Sequence, residues 1–225
     1  MTAQLAFDLP LRVALGRDDF FVSAANEQAY AMVMAWQGWP QGKLALIGPV
    51  GSGKSHLARV WQSLTGAQVL QAAAVVPGPM PAPGAHLVVE DMATLPVTAE
   101  EQLFHLHNHL AQTGGRLLLT DAQPPSRWPV ALPDLASRMQ AAAVIRLQDP
   151  DDALLAALLL KLFADRQLAP LPDVITYLAA RIERSHAAAA RVVALLDAAG
   201  LAQSRALTRA FVRSVLDKPG AVAPE

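Results

Sequence analysis

The sequence predicts an α/β protein, with a parallel sheet flanked by helices and a smaller all-helical part after it. Three observations predict it. Short, continuously apolar runs at 44–47, 87–89 and 117–119 alternate with helical patterns, as strands buried on both faces do. A glycine-rich turn follows the first run at once and opens a helix. Beyond Gln148 the strand candidates stop and only helical patterns remain, so the α/β part is expected over 13–148 and the helical part over 149–225.

The elements follow in order. Residues 26–36 read as a helix with Ala29, Met32, Val33 and Trp36 on one face. Strand 44–47 leads into a helix at 54–64, and 68–70 is a weaker strand. Residues 77–84 must be loop, because prolines occupy 77, 79, 81 and 83. Strand 87–89, a helix at 98–112, strand 116–120 and strand 144–147 complete the α/β part. Asp149 is the expected N-cap of the next helix, with Pro150 at its first position and Asp151 and Asp152 in its first turn. Pro172-Asp173 begins another helix, and 186–198 and 208–216 two more. There is no internal repeat.

Composition narrows the function. The 225 residues are 53% hydrophobic and 16% charged, which supports a packed core and not a disordered chain. A net charge of −1 gives no global attraction to nucleic acid or anionic membrane. With no cysteine, disulfides, thiolate zinc sites and cysteine nucleophiles are excluded. The longest apolar run, 154–160, is too short to span a bilayer, and a soluble, cytoplasmic protein is expected.

Gly48-Pro49-Val50-Gly51-Ser52-Gly53-Lys54-Ser55 satisfies the phosphate-loop pattern G-x-x-x-x-G-K-[ST] in its required strand–loop–helix setting. Glycines let backbone N–H groups turn toward phosphate oxygens, and the helix N-terminus adds positive potential. Lys54 is expected on the β- and γ-phosphates, Ser55 in the Mg²⁺ shell, and His56 beside them. Strand 87–89 ends in Glu90-Asp91, carboxylates suited to holding Mg²⁺ and orienting water. Other chemistries are weaker. His105 and His109 share a helix face without an acid motif and read as structural, and Trp36 and Trp39 read as packing residues.

The N-terminal Gln4-Leu5-Ala6-Phe7-Asp8-Leu9-Pro10 alternates large apolar with small or polar residues. No positive charge precedes it, which argues against a targeting signal. An edge strand, a frayed end and a peptide offered to a partner remain open.

Four stretches together resemble the Hda/DnaA family of AAA+ proteins: Asp19-Phe20-Phe21-Val22 with Asn26, the phosphate loop, Leu103-Phe104-His105 with Asn108, and Leu118-Leu119-Thr120-Asp121 with Pro124-Pro125. The resemblance implies an AAA+ core with a helical lid, binding ADP or ATP with Mg²⁺. It implies that Phe21, Val22 and Asn26 border the adenine, and that Arg138 of Ser137-Arg138 acts in trans on a neighbour's nucleotide. It implies control of replication initiation, with DnaA and the DNA polymerase III sliding clamp as partners and a homodimer as a possible assembly. In that setting residues 1–12 become a flexible clamp-binding peptide, with Gln4 donating hydrogen bonds and Leu5, Phe7 and Leu9 filling apolar pockets. No basic recognition helix follows the helical part, so no sequence-specific duplex binding is expected. The departures are Glu90-Asp91 where initiators carry two aspartates, Ala122 where an aspartate is frequent, and Ala187 where a nucleotide-sensing arginine is expected. Arg184 and Arg191 are the nearest replacements for that arginine, and Asp121 is a shifted substitute at Ala122. These departures imply a nucleotide-binding regulator with weak ATPase activity of its own. A helicase-loader-like ATPase and a non-catalytic adaptor are the alternatives.

Overall fold

Five parallel strands form one sheet in the order β2-β3-β4-β1-β5, comprising β1 (Lys43–Ile47), β2 (Gln68–Gln71), β3 (His86–Glu90), β4 (Arg116–Asp121) and β5 (Ala143–Arg146). The structure is a computed structural model and describes residues 20–203 and 207–217. It falls into two compact units: 24–149, which contains the sheet, and a helical unit of 150–217 with 20–23.

β1 is buried at all five positions because it lies between β4 and β5 with helices on both faces. Its register aligns Leu46 with Thr120 and Ile47 with Asp121, so β1 and β4 end side by side. Val89 of β3 lies opposite Leu119 of β4, and Gln71 of β2 lies opposite Glu90. All the strands therefore deliver their C-terminal residues to one edge, where α/β sheets bind ligands.

Helices α1 (Glu27–Met34), α2 (Lys54–Thr65), α3 (Glu100–Thr113) and α4 (Pro133–Gln140) belong to this unit. α2 buries Leu57, Ala58 and Trp61 at helical spacing and stops at Gly66, whose left-handed backbone ends the last turn. Trp61 stacks on Trp39 at 5.1 Å, and Trp39 Nε1 donates to Met32 O at 2.8 Å, so Trp39 is a packing group, as expected. α1 ends at Met34, and Trp36 lies in a separate short turn, edge-on to His86 at 4.9 Å. α4 was not anticipated. It is short and starts on a proline, and the buried Glu100 carboxylate of α3 fixes its start by accepting from Ala131 N at 2.9 Å and Leu132 N at 2.6 Å.

The helical unit comprises α5 (Asp152–Ala164), α6 (Pro172–Ala179), α7 (His186–Gln203) and α8 (Arg209–Leu216) around Leu155, Leu159, Phe163, Leu178, Val193 and Val212. The N-cap of α5 is Asp151, which accepts from Leu154 N at 2.8 Å; this corrects Asp149 by two residues, since the helix begins only after Pro150. Thr208 caps α8 by accepting from Phe211 N at 3.3 Å. Gln4, Leu5, Phe7 and Leu9 lie outside the described residues.

Candidate nucleotide site

The loop between β1 and α2 is shaped by positions that tolerate only glycine. A Cβ on Gly48 would lie 2.6 Å from Leu147 O and 2.9 Å from Ser52 Oγ, well inside contact distance. Gly53 has φ +97°, and it passes directly into the first turn of α2. Around these points Pro49 and Gly51 are half-buried, Val50 is exposed, and Ser52 and Lys54 are buried. Ser55 is exposed and His56 half-buried on α2.

Lys54 Nζ donates to Gly48 O and Pro49 O, both at 2.8 Å, so the ammonium bends back over the loop. Burial pushes it below the ordinary lysine value, while Asp91, Asp121 and Glu90 act in the opposite direction. Three carboxylates from the ends of β3 and β4 thus converge electrostatically on one lysine.

Each carboxylate has a different task. Glu90 is 4% exposed; its Oε2 accepts from Gln71 Nε2 at 2.7 Å, whereas Oε1 is buried without a partner. Asp91 is exposed and held at φ +59°, a left-handed conformation uncommon outside glycine, asparagine and aspartate. Asp121 is 3% exposed, with Oδ2 accepting from Ala93 N at 2.6 Å and Oδ1 from Gln123 N at 2.9 Å. Each of its oxygens accepts from a backbone N–H, so it pins the loops after β3 and β4. Thr120 Oγ1 accepts from Asp91 N at 3.4 Å and adds a second tie between those loops.

Two buried polar atoms in this region have no partner, Ser52 Oγ in the loop and Glu90 Oε1 at the end of β3. Unsatisfied buried oxygens are costly and uncommon. Together with the glycine cradle and Lys54 they fit a phosphate group with a hydrated Mg²⁺. In that fit the loop N–H groups and Lys54 hold phosphate, and Ser55 and Glu90 hold the metal's shell. Among the described residues no group of three or more histidines, aspartates and glutamates forms a metal site without such a ligand.

Of the residues expected at the adenine, Asn26 is buried in the sheet-containing unit at the start of α1, while Phe21 and Val22 are half-buried residues grouped with the helical unit. Arg184 pairs with Asp152 at 2.7 Å and Arg191 with Glu183 at 3.9 Å, so each is matched to an acid of its own unit.

Arg138 is exposed on α4, with its Cζ 5.3 Å from the centroid of the Phe104 ring. Burial is the main cause that lowers the pKa of Lys43 and of His107, and the Arg138 charge acts in the same direction on both. Lys43 starts β1, about 16 Å along the strand from the phosphate loop at roughly 3.3 Å per residue. Arg138 is thus within electrostatic reach of Lys43, whereas the charges that act on Lys54 are Asp91, Asp121 and Glu90. Lys43 Nζ is 3.2 Å from His107 Nε2, and His107 Nδ1 is 3.3 Å from Asn108 Oδ1, forming a buried polar column. His109 contacts Pro81 O at 2.8 Å, which gives it a structural task in holding the proline-rich loop.

Gln71, Glu100 and Lys43 were not among the residues singled out from sequence. Gln71 matters only because the β2–β3 register sets it against Glu90, and nothing in its local sequence signals that.

No known family's sequence model matches the chain. Its fold, however, is shared with solved structures. It superposes on domain III of the replication initiation protein DnaA of Thermotoga maritima with a TM-score of 0.71 and 17% identity, covering 88% of this chain and 93% of that one. Against AMPPCP-bound DnaA of Aquifex aeolicus the TM-score is 0.63 at 19% identity, over 81% of this chain and 65% of the other. A RuvB variant of Thermotoga maritima gives 0.65 at 15% identity, over 87% and 69%. The architecture shared with these DnaA and RuvB structures, a parallel sheet flanked by helices and followed by a helical part, is the one the sequence predicts. Among the described residues no helix is long and apolar enough to cross a membrane.

Proposed function

We propose that this protein is a DnaA-related AAA+ regulator of replication initiation. It binds ADP or ATP with Mg²⁺ at the loop of residues 48–55, and it acts on a neighbouring DnaA molecule by presenting Arg138 to the ATP held there. The fold shared with DnaA, one of whose structures holds AMPPCP and single-stranded DNA, supports the class of protein.

The observation that carries the reading is the exposure of Arg138. A guanidinium open to solvent, with no ion-pair partner among the described residues, suits a partner's nucleotide. A guanidinium inserted there stabilises charge spread over the equatorial phosphoryl oxygens, whereas a lysine lacks the planar fork. Weak turnover by the chain itself is consistent with Glu90 having one oxygen tied to Gln71 and with Asp121 serving the backbone. Gln4, Leu5, Phe7 and Leu9 complete the proposal as the peptide that docks on the DNA polymerase III sliding clamp, which would hold the protein near DNA-bound DnaA.

The test is Arg138→Ala. Nucleotide binding, read by titration with a fluorescent ADP, is expected to be unchanged. Stimulation of ATP hydrolysis by DnaA is expected to fall on the order of a thousandfold, the scale of a lost arginine finger. Normal stimulation by the variant would remove Arg138 from that role. Steady turnover by the chain alone, insensitive to DnaA, would favour a loader-type ATPase.

A further inference from the structure

Helix α5 is apolar almost all round, with Leu154-Leu155-Ala156-Ala157-Leu158-Leu159-Leu160 unbroken, yet only Leu155, Leu159 and Phe163 are fully buried. A helix of that composition is normally covered on more than one face. Ala153, Ala156 and Leu160 of α5 instead line a groove with Ile175 and Ala179 of α6, about 470 Å³ in volume and overwhelmingly apolar. Leu160 is 46% exposed there, and the adjacent Leu171 is 56% exposed. The Asp152–Arg184 ion pair sits at the groove, its charges already matched.

We infer that this groove takes the chain's own N-terminal segment, with Leu5, Phe7 and Leu9 against α5 and α6. In an extended peptide alternate side chains share a face, so those three form one apolar edge while Gln4, Ala6 and Asp8 point the other way. Because the groove's ion pair is self-neutralised, it asks for an apolar occupant and not a charged one. Nineteen residues precede Phe20, and Phe20 belongs to the same unit as α5 and α6. The eleven-residue span from Leu9 to Phe20 reaches up to about 36 Å when extended, more than the dimension of so small a unit. Tethering keeps the segment at an effective concentration of roughly millimolar, so modest affinity is sufficient for docking.

A segment held this way is withheld from any other partner until that partner outcompetes the groove. This consequence rests on the clamp reading above; the docking itself does not.

The absence of cysteine makes the test direct. In the full chain Leu9→Cys, on the edge that faces the groove, is combined with Thr176→Cys at the groove or, as control, with Arg191→Cys outside it. Docking predicts an intramolecular disulfide whose rate does not change on dilution, is about tenfold or more above the control, and drops when Phe7→Ala is added. Equal rates for the two pairs would overturn the inference. Cross-linked dimers whose yield rises with protein concentration would also overturn it, since the groove would then serve a second copy. Leu160→Asp, an exposed position that leaves the core intact, should slow the cross-link and raise clamp capture several-fold. A slowed cross-link without any clamp capture would leave the docking standing and remove the clamp reading.

Discussion

The two units bury different things. The sheet-containing unit hides Lys43, Ser52, Lys54, Glu90, Glu100 and Asp121 among its apolar residues, several of them at the C-terminal ends of its strands. Among the described residues of the helical unit, Ser185 is the buried polar side chain, capping α7 by accepting from Ala188 N at 3.1 Å. Buried charge is tolerated only where partners meet it, so the first unit is tied by polar contacts as well as packing and the second almost wholly by side-chain packing. The phosphate loop lies in the one and the apolar groove in the other.

The largest test of that contrast is Phe163→Ala in the helical unit. Emptying a fully buried aromatic site should cost about 3–5 kcal/mol and speed amide exchange across α5–α8, measured by hydrogen–deuterium exchange. Loss of protection spreading equally through the sheet would show that the two units fold as one. Next comes Lys54→Ala, expected to weaken fluorescent-ADP binding by about 3 kcal/mol, or more than a hundredfold, with little change in melting temperature. Asp121→Asn should do the reverse, lowering stability by about 2 kcal/mol in urea unfolding because two backbone N–H groups lose a charged acceptor.

A smaller effect is expected from pH. Burial, then the Lys43 ammonium, holds His107 below the ordinary imidazole value of 6.5, with Asn108 acting against it. Burial and Arg116 lower His86 in the same direction. A folded-state value below the unfolded one means the unfolded chain binds the proton more readily. Stability from these histidines is therefore complete above about 6.5 and is lost as pH falls toward and through the lower folded values. Urea midpoints measured across that window should decline on acidification, and His107→Gln should flatten part of the slope.

The legible parts of the molecule were those written in consecutive residues. The run Leu44-Ala45-Leu46-Ile47, its glycines and Lys54 specify a strand, a turn and a helix start without reference to anything distant. The all-helical character of 150–217 was equally local. What sequence did not disclose depends on strands meeting. The structural task of Asp121 emerges only when Ala93 and Gln123 are brought to it from two loops. Gln71 is an ordinary edge-strand residue until the register opposes it to Glu90. α4 is short, and although Pro133-Asp134 repeats the start signal of Pro172-Asp173, what fixes its start is distant in sequence: Glu100 of α3 accepts from Ala131 N and Leu132 N just before the helix.

The strand order carries a kinetic consequence. β1 is made early in synthesis, but its sheet partners are β4 and β5, some seventy and a hundred residues later. Gly48 N donates to Asp121 O at 3.2 Å, and Leu147 N donates to Ile47 O at 2.7 Å, so the loop is braced only after both late strands arrive. Contacts of such sequence separation close slowly, because loop entropy must be overcome before they form. On the proposed function, nucleotide capture is thus a late event in folding, and a chain interrupted before residue 147 would hold every residue of the phosphate loop without the strands that brace it.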